Sequence, residues 1–169
     1  KVEHAQIVTA SDFNYFSKKI LPSVQPTHAT SDMYWAEDRV GPERIKGAYA
    51  MKTLLDKSGV IALGTDFPVE RVNPMHTFYA AVARKDLENY PEGGFRKEEA
   101  LTREEALKGM TIWAAYSNFE ENEKGSIEVG KLADFTVLDN DIMKVDEKDL
   151  PNTKVLATFI NGEKVYSAN

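Results

Sequence analysis

A chain of 169 residues, 42% hydrophobic and 28% charged, has the composition of a soluble folded domain, and no apolar run approaches the roughly 20 residues of a membrane span. Its net charge of −6 is spread over both signs with no basic stripe, which argues against a nucleic-acid partner. No cysteine occurs, so disulfides, thiolate nucleophiles and thiolate metal ligands are excluded, and any metal must be held by His and carboxylate. A reducing compartment fits this composition, and the cytoplasm is the expected location.

The chain opens Lys1-Val2-Glu3-His4-Ala5-Gln6-Ile7-Val8 with neither an initiator Met nor a charged-then-apolar leader. It reads at once as the inside of a strand, Val2 to Val8, and the expectation is a C-terminal portion of a longer protein. Ser11 is a candidate N-cap for a helix over Asp12 to Leu21, with Phe13, Phe16, Ile20 and Leu21 on one side. Ser23-Val24-Gln25 forms a second, brief strand stopped by Pro26. Thr27 to Gly41 reads as irregular. Pro42 then opens a helix whose Ile45, Ala48, Met51 and Leu55 keep helical period and whose end is marked by Gly59.

Val60 to Leu63 is the third strand and runs into Gly64-Thr65-Asp66-Phe67-Pro68. Asn73-Pro74 starts the next helix, with Asn as cap and Pro at its first position. After the loop Tyr90-Pro91-Glu92-Gly93-Gly94-Phe95, the capping box Thr102-Arg103-Glu104-Glu105 begins an amphipathic helix through Leu107, Met110, Ile112 and Ala115. Beyond Gly125 the period changes to two. Strands are expected over Ala133–Leu138 and Val155–Ile160, and Asn161-Gly162 is a hairpin turn into Lys164-Val165-Tyr166. The alternation of strands and helices predicts an α/β fold of parallel units over residues 1–124 and a β-rich segment over 125–169.

Three histidines exist. His4 and His28 fall in or just after predicted strands, and Asp66 follows the third strand. In a parallel barrel the strand ends share one face, so side chains tens of residues apart converge there. His and carboxylate suit zinc or a similar divalent ion, which lowers the pKa of water to about 7, and a nearby carboxylate can shuttle the proton. Spacing alone leaves two readings open: a metal site, or a structural role with His4 in a core hydrogen bond and Asp66 as a turn residue.

The motifs themselves carry more. Val2-Glu3-His4-Ala5-Gln6, Gln25-Pro26-Thr27-His28-Ala29-Thr30-Ser31-Asp32, Trp35-Ala36-Glu37-Asp38-Arg39, Leu63-Gly64-Thr65-Asp66-Phe67-Pro68 and Gly130-Lys131-Leu132-Ala133-Asp134 stand in that order. The set resembles the last third of the amidohydrolase superfamily, specifically its amidohydrolase 3 (YtcJ-like) group, across essentially the whole chain. The resemblance implies the last three strand–helix units of a TIM (β/α)-barrel and, after residue 124, part of a small β-sandwich. It implies a metal-dependent hydrolase of carbon–nitrogen bonds other than peptide bonds, taking a small amide-type substrate and a divalent metal, zinc by preference.

By the same resemblance, His4 matches the metal-binding histidine that ends the sixth barrel strand. Asp66 matches the aspartate after the eighth, which touches the metal and acts as general base and then acid. His28, in the loop after the seventh, matches a position facing the substrate and is not a direct ligand. The family's other ligands, a His-x-His pair, a carboxylated Lys or Glu and a further His, belong upstream of Lys1. Two ligands rarely hold a catalytic zinc, so the expectation is a fragment inactive alone, with strand edges and a barrel seam that favour a homo-oligomer. The alternative is a noncatalytic remnant that associates through those edges.

Other positions read as structural. His76 sits in the first turn of a helix. Trp35 to Arg39 is either a lid, with Arg39 or Arg44 meeting a carboxylate, or a solvated loop. Lys97-Glu98-Glu99 and Arg103-Glu104-Glu105 read as solvated helix faces.

Overall fold

The structure is a computed structural model that describes residues 1–17 and 20–168. Three short strands, β1 (Val2–Glu3), β2 (Pro22–Val24) and β3 (Ala62–Leu63), pair in parallel in the order β1-β2-β3. Val2 lies opposite Pro22, Glu3 opposite Ser23, Ser23 opposite Ala62 and Val24 opposite Leu63. The Gly64 N–H donates to the Val24 carbonyl and carries the pairing one step further, toward Asp66.

Helices fill the connections: α1 (Pro26–Asp32), α2 (Ala36–Arg44), α3 (Met51–Ser58), α4 (Pro74–Ala83), α5 (Arg103–Met110) and α6 (Ile112–Ser117). A second sheet, antiparallel in the order β4-β5-β6, is made of β4 (Phe135–Leu138), β5 (Val155–Ile160) and β6 (Glu163–Ser167). The α/β class follows the sequence pattern, with α1–α6 ending at Ser117 and the antiparallel strands beginning at Phe135. Among the described residues no helix is long and apolar enough to cross a membrane.

The core lies where α3, α4 and α5 meet β2 and β3, around Leu54, Ile61, Phe78 and Tyr79, each 1% exposed or less. Every residue of α4 from Met75 to Ala83 except His76 is buried, which is why that helix is apolar on all sides. Residues beyond 124 return to the same core: Ile142 and Leu150 pack within it, and a 3₁₀ turn over Glu147–Asn152 lies against α4.

Several elements differ from the sequence expectation. The first strand is two residues long instead of running to Val8, because His4 and Ala5 take left-handed backbone angles (φ 69° and 40°) that end it. Gln6 to Val8 instead meets the chain near Gly47: the Val8 N–H donates to the Gly47 carbonyl and the Tyr49 N–H to the Gln6 carbonyl. That contact also breaks the helix expected from Pro42 to Gly59: α2 ends at Arg44, a 3₁₀ turn covers Ile45–Gly47, and Ala48–Ala50 interrupts the chain before α3. A Cβ at Gly47 would come within 1.9 Å of the Val8 carbonyl oxygen, so only glycine permits the approach.

Asp12–Tyr15 is a single 3₁₀ turn where a helix was expected; part of that expected helix, residues 18 and 19, lies outside the described residues. Thr27–Gly41, expected to be irregular, is largely helical as α1 and α2. The expected helix through Ala115 is cut at Thr111 into α5 and α6, where Gly125 packs so closely that a Cβ would stand 2.9 Å from the Ile112 Cα. Glu99 is not solvated. It is 6% exposed and accepts hydrogen bonds from the Thr53 backbone N–H and hydroxyl at 2.9 and 2.7 Å.

The local signals hold. Asn73 caps α4 by accepting from the Met75 N–H, the Thr102/Glu105 capping box is complete in both directions, and Asn161-Gly162 turns β5 into β6 with φ of 50° and 80°.

Candidate metal centre

His4, His28 and Asp66 come together. Each offers one ligand atom, and those atoms lie within 4.8 Å of one another; it is the one such cluster among the described residues. The parallel pairing explains the convergence, since His4 follows β1, His28 stands in the first turns of α1 directly after β2, and Asp66 follows β3. His28 Nε2 lies 3.3 Å and His4 Nδ1 3.9 Å from Asp66 Oδ2, and the two imidazoles stack at 5.9 Å between centroids.

Backbone conformation is unusual here, as it is at seven other non-glycine positions among the described residues. His4 (φ 69°) and Asp66 (φ 59°) both occupy the left-handed region, which an ordinary side chain enters only at a cost of about 1–3 kcal/mol and which recurs at functional sites. Pro26 contributes from the other side. It occupies the first position of α1 and holds Gln25 extended (φ −119°, ψ 100°), so that strand gives way to helix with no intervening loop. The loop position expected for His28 is therefore corrected: it is a helical residue whose side chain is 8% exposed.

Polar neighbours orient both rings. Gln25 Oε1 lies 2.8 Å from His4 Nδ1, and Gln6 Nε2 lies 2.8 Å from His28 Nδ1. An amide nitrogen can only donate, so His28 Nδ1 accepts and the neutral ring carries its proton on Nε2. That Nε2 is buried and, though near Asp66, is not aligned with any hydrogen-bond acceptor. A buried, unpartnered imidazole nitrogen beside a carboxylate and a second imidazole is a place built for something to be bound. With His28 Nε2 protonated, the donors left for a cation are those of His4 and Asp66, a nitrogen and a carboxylate of the kind that zinc and similar divalent ions take.

Glu3 completes the edge of the site. It accepts from the Ser23 hydroxyl at 2.7 Å and from Gln25 Nε2 at 2.9 Å. Partial burial alone would raise its carboxyl, but these two bonds hold it below the ordinary carboxylate value, with the Lys1 and His4 charges adding in the same direction.

Sequence reasoning found the three clustered residues but not Glu3, Gln6 and Gln25; the one available signal was a polar residue fixed by a following proline at a strand end. His76 is as expected, in the first turn of α4 near Asn73 and away from the cluster, its pKa lowered by burial and then by Arg71. Arg39 is exposed, its backbone N–H donates to the Trp35 carbonyl, and its guanidinium has no hydrogen-bond or ion-pair partner among the described residues.

Known proteins resemble this chain from end to end. A model of the amidohydrolase family (Amidohydro_3) matches residues 1–166. The protein LONG AFTER FAR-RED 3 of Arabidopsis thaliana is 34% identical over 168 residues, 98% of this chain and 28% of that protein. A Bacillus subtilis protein named as amidohydrolase YtcJ is 37% identical over 143 residues, 85% of this chain and 27% of its own length. Among solved structures, an uncharacterized metal-dependent hydrolase from Pyrococcus furiosus superposes with a TM-score of 0.71 at 34% identity, covering 84% of this chain and 28% of that one. The chain thus spans between 21% and 28% of the length of the curated relatives it matches.

Proposed function

The chain belongs to the amidohydrolase family, and from that premise we propose that it supplies part of the centre of a metal-dependent hydrolase that cleaves carbon–nitrogen bonds other than peptide bonds in a small amide-type substrate. The activity is that of a whole protein of the relatives' length. Residues 1–124 are read as the last three strand–helix units of a (β/α)-barrel, and residues 125–169 as part of a small β-sandwich beside it. A cytoplasmic location is kept as part of this reading.

The observation that carries the proposal is the convergence of His4, His28 and Asp66 from three successive parallel strands. His4 and Asp66 would hold the ion, zinc by preference. When bound, a divalent ion there supplies Lewis acidity, polarising a carbonyl and acidifying water. Asp66 Oδ2 takes a proton from the attacking water and returns it to the leaving nitrogen. His28 holds its proton at Nε2, 3.3 Å from Asp66 Oδ2, where it faces the substrate and steadies charge on the carboxylate. Burial of His28 keeps water from competing for that proton.

Zinc titrated by calorimetry into the chelator-stripped whole protein, of the relatives' length and carrying the upstream ligands, tests the reading. Binding at about one ion per chain, lost in both His4→Ala and Asp66→Ala, is the expected result. Binding that survives both substitutions, or no binding, overturns it. A noncatalytic association module is the second reading, favoured by apolar side chains left half exposed on the outer sheet, among them Ile160 (56%) and Val165 (53%). Concentration-dependent oligomers without zinc binding would select it.

A further inference from the structure

We propose that Glu3 and Gln25 are positioning residues that fix the tautomer of His4, keeping the proton on Nδ1 and the lone pair of Nε2 free to bind a cation. The geometry follows from bonding rules and does not depend on what the site holds; only its purpose rests on the reading of His4 as a ligand.

A carboxylate oxygen accepts and cannot donate. Gln25 Nε2, 2.9 Å from Glu3 Oε1, is therefore the donor of that bond, and the orientation of the whole amide is settled. The amide oxygen must then face His4, and at 2.8 Å from Nδ1 it can only accept. So Nδ1 carries the hydrogen, and a neutral imidazole with N–H at Nδ1 has its lone pair at Nε2. One carboxylate on β1 thus dictates, through an amide at the end of β2, which nitrogen of the next residue of its own chain is basic. A hydrogen-bond acceptor behind a ligating imidazole also raises its basicity, and loss of such a partner typically costs 10- to 100-fold in metal affinity.

Three local features make the relay rigid. The register that sets Glu3 opposite Ser23 lets the serine hydroxyl donate to the same carboxylate oxygen at 2.7 Å, anchoring it. Pro26 holds Gln25 in extended conformation, and Gln25 is only 8% exposed. In a regular strand Glu3 and His4 would face opposite sides. The left-handed turn at His4 breaks that alternation, and both side chains reach the same glutamine. The strained backbone is thereby explained: it brings an acid and a histidine that are sequence neighbours to the two ends of one amide.

Long-range proton–nitrogen correlation spectra read tautomers directly, and with three histidines in the chain single replacements assign every signal. Spectra are taken on zinc-free protein about two pH units above the ordinary histidine value of about 6.5. The expected wild-type result is His4 protonated on Nδ1. In Glu3→Gln the anchor can both donate and accept, Gln25 is free to rotate, and His4 shifts to a mixture of tautomers while His28 and His76 keep theirs. Exchanging acid and amide, Glu3→Gln with Gln25→Glu, reverses the bond between positions 3 and 25 but leaves a carboxylate that can only accept facing His4 Nδ1, and so restores the wild-type tautomer, which a residue that merely fills space would not do.

A wild-type His4 protonated on Nε2, an unchanged His4 in Glu3→Gln, or a double variant that fails to restore the tautomer overturns the proposal. The wild-type spectrum needs no variant to fold. Zinc titration reports separately: a protein that shows the expected tautomers but binds no zinc contradicts the proposed function and leaves the relay standing.

Discussion

The two sheets of this molecule are stabilised in opposite ways. The parallel sheet has strands of two or three residues, yet β3 is wholly buried and Val24 of β2 is 5% exposed beneath the helices. The antiparallel sheet has strands of four to six residues and longer ladders, each shifting register once, yet β6 is exposed along its whole length and β4 nearly so. Length of pairing and depth of burial are thus separate properties, and the candidate centre sits on the sheet that has the burial. A site whose atoms must hold their positions to within a fraction of an ångström draws that precision from the packing around the strands more than from the number of hydrogen bonds between them.

The largest test of that contrast is Phe78→Ala. Its side chain is fully buried in α4, and the substitution should cost about 3–5 kcal/mol of stability by urea unfolding. A loss below about 1 kcal/mol would mean that the packing described does not hold the parallel region together.

An intermediate effect is expected at the capping box of α5. Thr102→Ala removes the acceptor for the Glu105 N–H and should cost about 1 kcal/mol in the same assay. Its partner Glu105 adds a pH dependence. Burial alone would raise that carboxyl, but bonds from Lys52 and from the Thr102 N–H hold it below its ordinary value of 4.5. A carboxyl lower in the folded than in the unfolded state stabilises fully above the unfolded value and loses that contribution as pH falls through the folded one. Stability should therefore drop below about pH 4.5, and Glu105→Gln should flatten part of that drop.

The smallest effect belongs to the outer sheet. Val165→Thr, at a half-exposed position of β6, should change stability by no more than about 0.5 kcal/mol. Hydrogen exchange sharpens the same comparison: backbone amides of β6 should exchange faster than those of β2 although β6 has the longer ladder. Protection in the reverse order would show that pairing outweighs burial here.

What could be read from the sequence divides along similar lines. Signals complete within a few residues were legible: Asn73-Pro74, Thr102 with Glu105, Asn161-Gly162, and the strand-end residues His4, His28 and Asp66, together with the family, which the match over residues 1–166 bears out. Features that depend on a distant partner were not. Helix α1 contains Thr27, His28 and Thr30, none a strong helix former, and is stabilised by burying five of its first residues. Glu99 read as solvated because Thr53, which satisfies it, lies 46 positions away. The roles of Gln6 and Gln25 required the two strand ends to be side by side before either amide had anything to orient.

Gly109 gives the molecule a dimension it could not otherwise have. It is the residue of α5 that rests on β3, and a single added Cβ would stand 2.7 Å from Leu63 Cγ and 3.3 Å from the Ile61 carbonyl oxygen. Leu63 leads directly through Gly64 and Thr65 to Asp66. The hydrogen atom that serves as the Gly109 side chain therefore acts as a spacer, setting the height of the strand that delivers the carboxylate. In a library selected for folding, position 109 should tolerate a larger residue only together with a compensating reduction at Leu63.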